Sequence, residues 1–260
     1  MLSISLLGIV ALSGCGDATP INPPQPPEVA EVTLSFELFN GTDPVAFQEA
    51  FTDEGGFQHQ VLTLKFYLSN VELIKSDGGS VVLDDVILFD YEPEDETVNN
   101  PEWTRTSSAT IPPGEYSGIR FGLGIPATLN DEDPTTFAND DPLSTFSNMY
   151  WNWASKYRFI ILETATDTGS GNFDHDILIH TGLDELYRES PVYPINMVLE
   201  SGDRSTLHLE LDWNAIWYNS EDVIPIKTEH ITHTTDTPED FDLAKRFTDN
   251  FMAGLNIAED

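Results

Sequence analysis

From Glu31 onward apolar side chains recur at every second residue, and that period restricts the chain to half-buried strands. Val32, Leu34, Phe36 and Leu38 alternate with Thr33, Ser35 and Glu37. Leu62, Leu64, Phe66 and Leu68 form a second apolar face, with Val61, Thr63, Lys65 and Tyr67 opposite. Asp77-Gly78-Gly79 is a turn signal before Val81-Val82-Leu83 and Val86-Ile87-Leu88-Phe89, and Pro113-Gly114 turns into Glu115–Phe121. Further strands are expected over 156–163, 175–180, 195–200 and 206–212. Short strands separated by turn residues, with no helices between them, predict an all-β fold: an antiparallel sandwich or barrel-like domain. The C-terminus breaks the pattern. Thr237-Pro238-Glu239-Asp240 supplies an N-cap, a proline at the first helical position and an acidic first turn. Leu243, Phe247 and Phe251, joined by Ala244 and Leu255, then form one stripe, so a single C-terminal helix should dock on the sheet. No solenoid repeat or composition shift marks a second domain, and residues 31–260 read as one.

The residues before this region have a different character. Residues 2–12 are a short apolar run that fits the core of a secretory signal and is too short for a mature membrane span. No Lys or Arg precedes it. Leu12-Ser13-Gly14-Cys15 resembles the bacterial lipobox, in which the cysteine thiol takes a diacylglyceryl group. Residues 1–15 are therefore expected to be a lipoprotein signal ending at Cys15. An ordinary cleaved signal with an incidental cysteine is the alternative. Pro20, Pro23, Pro24, Pro26 and Pro27 make residues 16–30 an extended tether. The expected location is the bacterial cell envelope, lipid-anchored, in the periplasm or at the outer-membrane surface.

Charge narrows the function. Forty-five Asp and Glu against 11 Lys and Arg give a formal net charge of −34, which would repel every phosphate and so excludes a general nucleic-acid binder. Aromatic content of 11% separates the chain from a disordered acidic tail. Cys15 is its one cysteine, so neither a disulfide nor a thiolate cluster can form within it. The acidic segments Tyr91–Pro101 and Asn130–Pro142 lack the spacing of a preformed calcium loop and read as solvated loops. There is no G-x-S-x-G elbow, H-E-x-x-H pair, Walker loop or dinucleotide fingerprint, and Gly122-Leu123-Gly124 has no following helix. With so many acids, a glycosidase-like carboxylate pair is too easily found to carry weight. A binding protein is expected rather than an enzyme.

Histidines and a tryptophan pair remain. In Met149-Tyr150-Trp151-Asn152-Trp153, an extended chain would put Trp151 and Trp153 on one face, filling the core or lining a site. His208 alternates with Leu207 and Leu209 and should face solvent. His59 shares parity with Val61, Thr63 and Lys65 and should be peripheral. His175 and His180 are five apart and point to opposite sides of a strand, so at most one joins a given site. His230 and His233 precede the helix in extended or irregular chain.

An ordered set of segments resembles the MbnP-like family, the homologues of the methanobactin partner protein that also occur in metallo-mystery pairs. These are Leu64–Leu73, Ile111–Tyr116, Phe121–Asn130, Pro142-Leu143-Ser144, and Met149–Trp153 with Tyr157, Phe159 and Glu163. Ile179-His180-Thr181-Gly182, Thr232-His233 and Asp249-Asn250-Phe251 complete it. The resemblance implies an extracytoplasmic β-rich copper-binding protein, a tryptophan oxidised to kynurenine, and a di-haem partner of the cytochrome c peroxidase type. Cysteines that follow the His-x-Gly motif in some members are absent here, and Asp131 stands where some have histidine. By the same resemblance His180 is the first candidate ligand, His233 the second and His175 the third. Trp151 and Trp153 are the aromatics to be oxidised or stacked beside the metal. The competing expectation is a structural β-sandwich lipoprotein without a metal.

Overall fold

A computed structural model describes residues 28–91, 106–151, 156–235 and 237–259. Two β-sheets form from the alternating segments. The smaller runs in the order Leu255–Glu259, Arg204–Asp212, Ala30–Asn40 and Asp43–Pro44, with Thr106–Ile111 also paired to Ala30–Asn40. The larger is built on the long strand Gln58–Lys75. Its main path runs from Arg188–Glu189 through Gly114–Leu123, Gln58–Lys75, Lys156–Asp167 and His175–Gly182 to Ile231–Thr232. Most pairings are antiparallel, as the turn-linked strands predict. Two are parallel: Ala30–Asn40 with Arg204–Asp212, and His175–Gly182 with Ile231–Thr232. Both join strands distant in sequence, which no local turn signal can announce.

The inward faces of the two sheets share one aromatic core. Phe36 of the smaller sheet meets Phe66 edge-on at 4.8 Å and Phe89 at 5.7 Å. The helix Pro238–Gly254 closes this core. Thr237 accepts the Asp240 N–H as its N-cap, Pro238 occupies the first turn, and Leu243, Ala244, Phe247 and Phe251 are buried. Phe251 reaches Phe66 at 5.3 Å. Leu255 is not part of the helix; it caps it and begins an edge strand on Arg204–Asp212.

Four expectations fail for identifiable reasons. A bulge between Val61 and Thr63 turns Leu62 outward to 38% exposure, so the apolar face starts at Leu64. The opposite face is buried as well, because the 130–150 segment folds over it. There Lys65 Nζ reaches the Ser147 carbonyl at 2.9 Å and Asp90 at 3.0 Å, while Tyr67 and Tyr157 donate to the Pro142 and Leu143 carbonyls. That segment is thus a cover as well as a solvated loop: Asp131, Glu132, Asp133 and Asp140 point out, while Pro134 and Leu143 are buried. His59, expected at the periphery, is fully buried under Trp213, with ring centroids 4.8 Å apart. His208 is half-buried, bonded to Ser35 Oγ at 3.0 Å. Alternation fixes which side a residue takes, and the chain that later covers that side decides exposure.

Gly124 shows how tightly the larger sheet is packed. Its φ is +92°, and a Cβ there would stand 2.5 Å from the Phe159 ring. Gly124→Ala combines left-handed backbone with overpacking and should cost about 2–4 kcal/mol. A denaturant midpoint unchanged from the parent would contradict this packing.

Candidate metal centre

The site forms at the edge of the larger sheet, where three chain segments meet. His180 is on the strand His175–Gly182, whose pairing with Lys156–Asp167 sets it opposite Ile161 and diagonal to Glu163. His180 Nε2 lies 2.8 Å from Glu163 Oε1. The hydrogen bond from His180, with the Arg158 charge nearby, outweighs burial and holds the Glu163 carboxyl below the ordinary carboxylate range. An ionised carboxylate only accepts, so His180 Nε2 carries the proton and Nδ1 keeps a lone pair in the neutral ring.

His233 arrives from the parallel neighbour. Leu178 pairs with Ile231 and Ile179 with Thr232, and one further step brings His233 level with His180. The turn behind it is tied down. Thr234, at φ +67°, donates from Oγ1 to the His180 carbonyl, and its N–H donates to Thr232 Oγ1. Thr232 Oγ1 in turn donates to the Asp240 carbonyl at the start of the helix. As a result His233 Nδ1 stands 3.2 Å from His180 Nδ1, with ring centroids 4.9 Å apart.

Trp151 forms the wall. Tyr150–Trp151 pairs with the start of the Lys156 strand, and the indole lies 5.4 Å from the His180 ring and 5.5 Å from the His233 ring. The Arg158 guanidinium carbon lies 4.7 Å from the centre of the Trp151 ring as a cation–π contact, and its Nη2 donates to the Asn148 carbonyl. His180 is 7% exposed; Trp151 and His233 are half-buried.

The geometry fits an imidazole-bound metal in part. Without a metal this contact is a hydrogen bond from His233 Nδ1–H to the His180 Nδ1 lone pair; once that proton is lost, two nitrogens 3.2 Å apart can each lie about 2.0–2.1 Å from one ion at an angle of about 100°. Glu163 behind His180 is the carboxylate that usually orients a ligating histidine. Among the described residues, no group of three or more His, Cys, Asp and Glu side chains is placed to hold a metal ion. The arrangement therefore brings together two imidazoles and an aromatic wall.

The remaining candidates are placed as follows. His175 is not with His180; its ring lies 4.0 Å from His230 and its Nε2 bonds the Ile226 carbonyl. Trp153 and Cys15 lie outside the described residues, as does most of the acidic segment after Tyr91. Glu163 belongs to the family-like segments but has no role assigned there, and Arg158 is a functional candidate that the sequence does not single out. Their sequence signal is slight: two charges bracketing Phe159-Ile160-Ile161-Leu162 in a buried strand.

Two sheets closed by one C-terminal helix, with two imidazoles and an indole gathered at a sheet edge, define a β-rich fold class with one candidate site. Residues 29–235 match the family profile described as MbnP, and the chain belongs to that family. The solved structure of MbnP from Methylosinus trichosporium is similar at 17% identity and a TM-score of 0.49, over 72% of this chain and 77% of that one. No curated protein matches the chain.

Proposed function

We propose that the chain is an extracytoplasmic copper-binding protein whose metal is held by His180 and His233 beside Trp151. The observation that carries this reading is the 3.2 Å approach of the two Nδ1 atoms, one of them prepared by Glu163. Imidazole suits copper in either oxidation state, and the one cysteine lies in the lipobox-like segment. His180 Nδ1 and His233 would hold the ion, Glu163 keeps the His180 ring in the ligating tautomer, and Trp151 limits water access on one side. Bound copper would supply a redox-active centre next to the indole. Trp151 or Trp153 is the residue proposed to become kynurenine, with two hydrogen peroxide molecules consumed through a di-haem peroxidase-type partner as oxidant and oxygen source; the ring carbon lost leaves as formate and one water forms. The acidic surface suits a basic docking face on that partner. Anchoring through Cys15 places the protein in the envelope, a reading that rests on Leu12–Cys15 and the proline tether. Among the described residues no helix is long and apolar enough to cross a membrane.

Metal analysis of protein purified from its native envelope tests the proposal. After dialysis against a weak chelator, about one copper per chain should remain, and His180→Ala should lower copper affinity by at least about tenfold. His208→Ala should leave it unchanged, since that ring bonds Ser35 on the other sheet. Affinity should fall at acid pH, because protonated imidazole cannot ligate. Intact mass should rise by about 4 Da for kynurenine, one carbon lost and one oxygen gained. No retained copper, or equal losses from the two variants, would favour the second reading, a structural β lipoprotein without a metal. The want of a third convergent donor among the described residues supports that alternative.

A further inference from the structure

The segment that delivers His233 carries a second imidazole, and this one meets the histidine at the opposite end of the His180 strand. His175 and His230 lie with ring centroids 4.0 Å apart and planes tilted by 39°. Both are half-buried. His175 Nε2 lies 2.9 Å from the Ile226 carbonyl oxygen, and His230 Nδ1 lies 2.7 Å from the Asp176 carbonyl oxygen. A carbonyl only accepts, so each of these nitrogens carries the proton. In the neutral rings the lone pairs are left on His175 Nδ1 and His230 Nε2. A ligating histidine is usually prepared in this way, with its outer N–H given to a backbone carbonyl and the other nitrogen left as donor. The backbone also holds the two segments together, because the Leu178 N–H donates to the His230 carbonyl at 2.8 Å. His175 lies five residues from His180 and therefore on the other side of the strand, so the two histidine pairs are separate.

We propose that His175 and His230 form a second, open metal site, which takes one borderline divalent transition-metal ion of the Ni2+ or Zn2+ type. His175 Nδ1 and His230 Nε2 are the protein donors, and water fills the remaining positions. Imidazole selects such ions over Mg2+ and Ca2+. The net charge of −34 raises the local concentration of any divalent cation. Since no group of three or more His, Cys, Asp and Glu side chains is placed to hold a metal among the described residues, the site is open and weaker than a closed tetrahedral one. An ion there fastens the 226–230 segment to the strand that carries His180, which is the same segment that leads to His233.

The test uses the full chain carrying both His180→Ala and His233→Ala, so its result is independent of the copper reading. Ni2+ is titrated calorimetrically with millimolar Mg2+ present to occupy surface carboxylates. One equivalent should bind saturably, and His230→Asn should weaken it by at least about tenfold while keeping a donor toward the Asp176 carbonyl. His175→Gln, which keeps a donor toward the Ile226 carbonyl, should do the same. In the background protein, without either change, paramagnetic Ni2+ should broaden the ring resonances of His175 and His230 before those of His59 and His208. Unchanged affinity in both variants, no saturable uptake, or broadening that spares the His175 and His230 rings overturns the proposal.

Discussion

Deleting residues 237–260 should abolish the cooperative thermal transition rather than shift it. The deletion removes the helix Pro238–Gly254 and the edge strand Leu255–Glu259 together. Leu243, Phe247, Phe251, Met252 and Leu255 are each at most 9% exposed. At about 1.5–3 kcal/mol for each buried side chain, the loss is about 8–15 kcal/mol. That matches the whole net stability of an ordinary domain, about 5–15 kcal/mol. The damage also reaches the core, because Phe251 packs on Phe66 and Phe247 on Trp217. Phe247→Ala alone should cost about 3–5 kcal/mol and leave a cooperative but earlier transition. A truncated chain melting within a few degrees of the parent would show that the helix is an accessory.

Asp53→Ala should cost about 3–5 kcal/mol at neutral pH, the scale of breaking a buried ionic pair. Asp53 Oδ2 accepts from His59 Nε2 at 2.9 Å and from the Tyr218 hydroxyl at 2.5 Å, and Oδ1 accepts the Phe57 N–H at 2.8 Å. His59 in turn bonds Thr166 Oγ1 at 3.0 Å, so the substitution strands several buried polar groups at once. Burial raises the Asp53 pKa, but the bonds from His59, Tyr218 and Phe57 outweigh it and hold the carboxyl below its ordinary value of 3.8. The sign follows. Near and below that value the unfolded chain binds the proton more readily than the folded one. The contribution is therefore complete above about pH 3.8 and is lost as the pH falls through the depressed folded value. Urea unfolding of parent and variant should differ most from neutral pH down to about pH 5 and converge as the pH drops below 3.8. A constant difference across that range would mean that the carboxylate charge is irrelevant and only its shape matters.

Local chemistry made some elements legible before any contact was known. Alternation in Val32–Leu38 located a strand whose inward residues Val32, Leu34, Phe36 and Leu38 are all buried. Thr237-Pro238 and the Leu243–Phe247–Phe251 stripe located the helix, since capping and the 3.6-residue period act within a few residues. Parity also separated His175 from His180. The family's ordered segments pointed to His180, His233 and Trp151, which the fold brings to one place.

Other features depend on chain that lies far away in sequence, and only the tertiary structure decides them. His59 has the parity of a peripheral residue, yet Trp213 covers it and Asp53, Thr166 and Tyr218 enclose it in a bonded network. Lys65 is buried because Ser147 and Asp90 meet its ammonium beneath the 130–150 cover. The separation of His180 from His233 is set by a parallel pairing across fifty residues, and parallel register leaves no turn signature. Glu163 reaches the His180 ring only through the diagonal of an antiparallel ladder. The sequence by itself determined the alternation of sides along the regular strands and where the helix begins, though not the bulge that turns Leu62 outward. The tertiary structure decided what lies over each side, because covering a face and aligning distant strands are properties of contacts that no local pattern encodes.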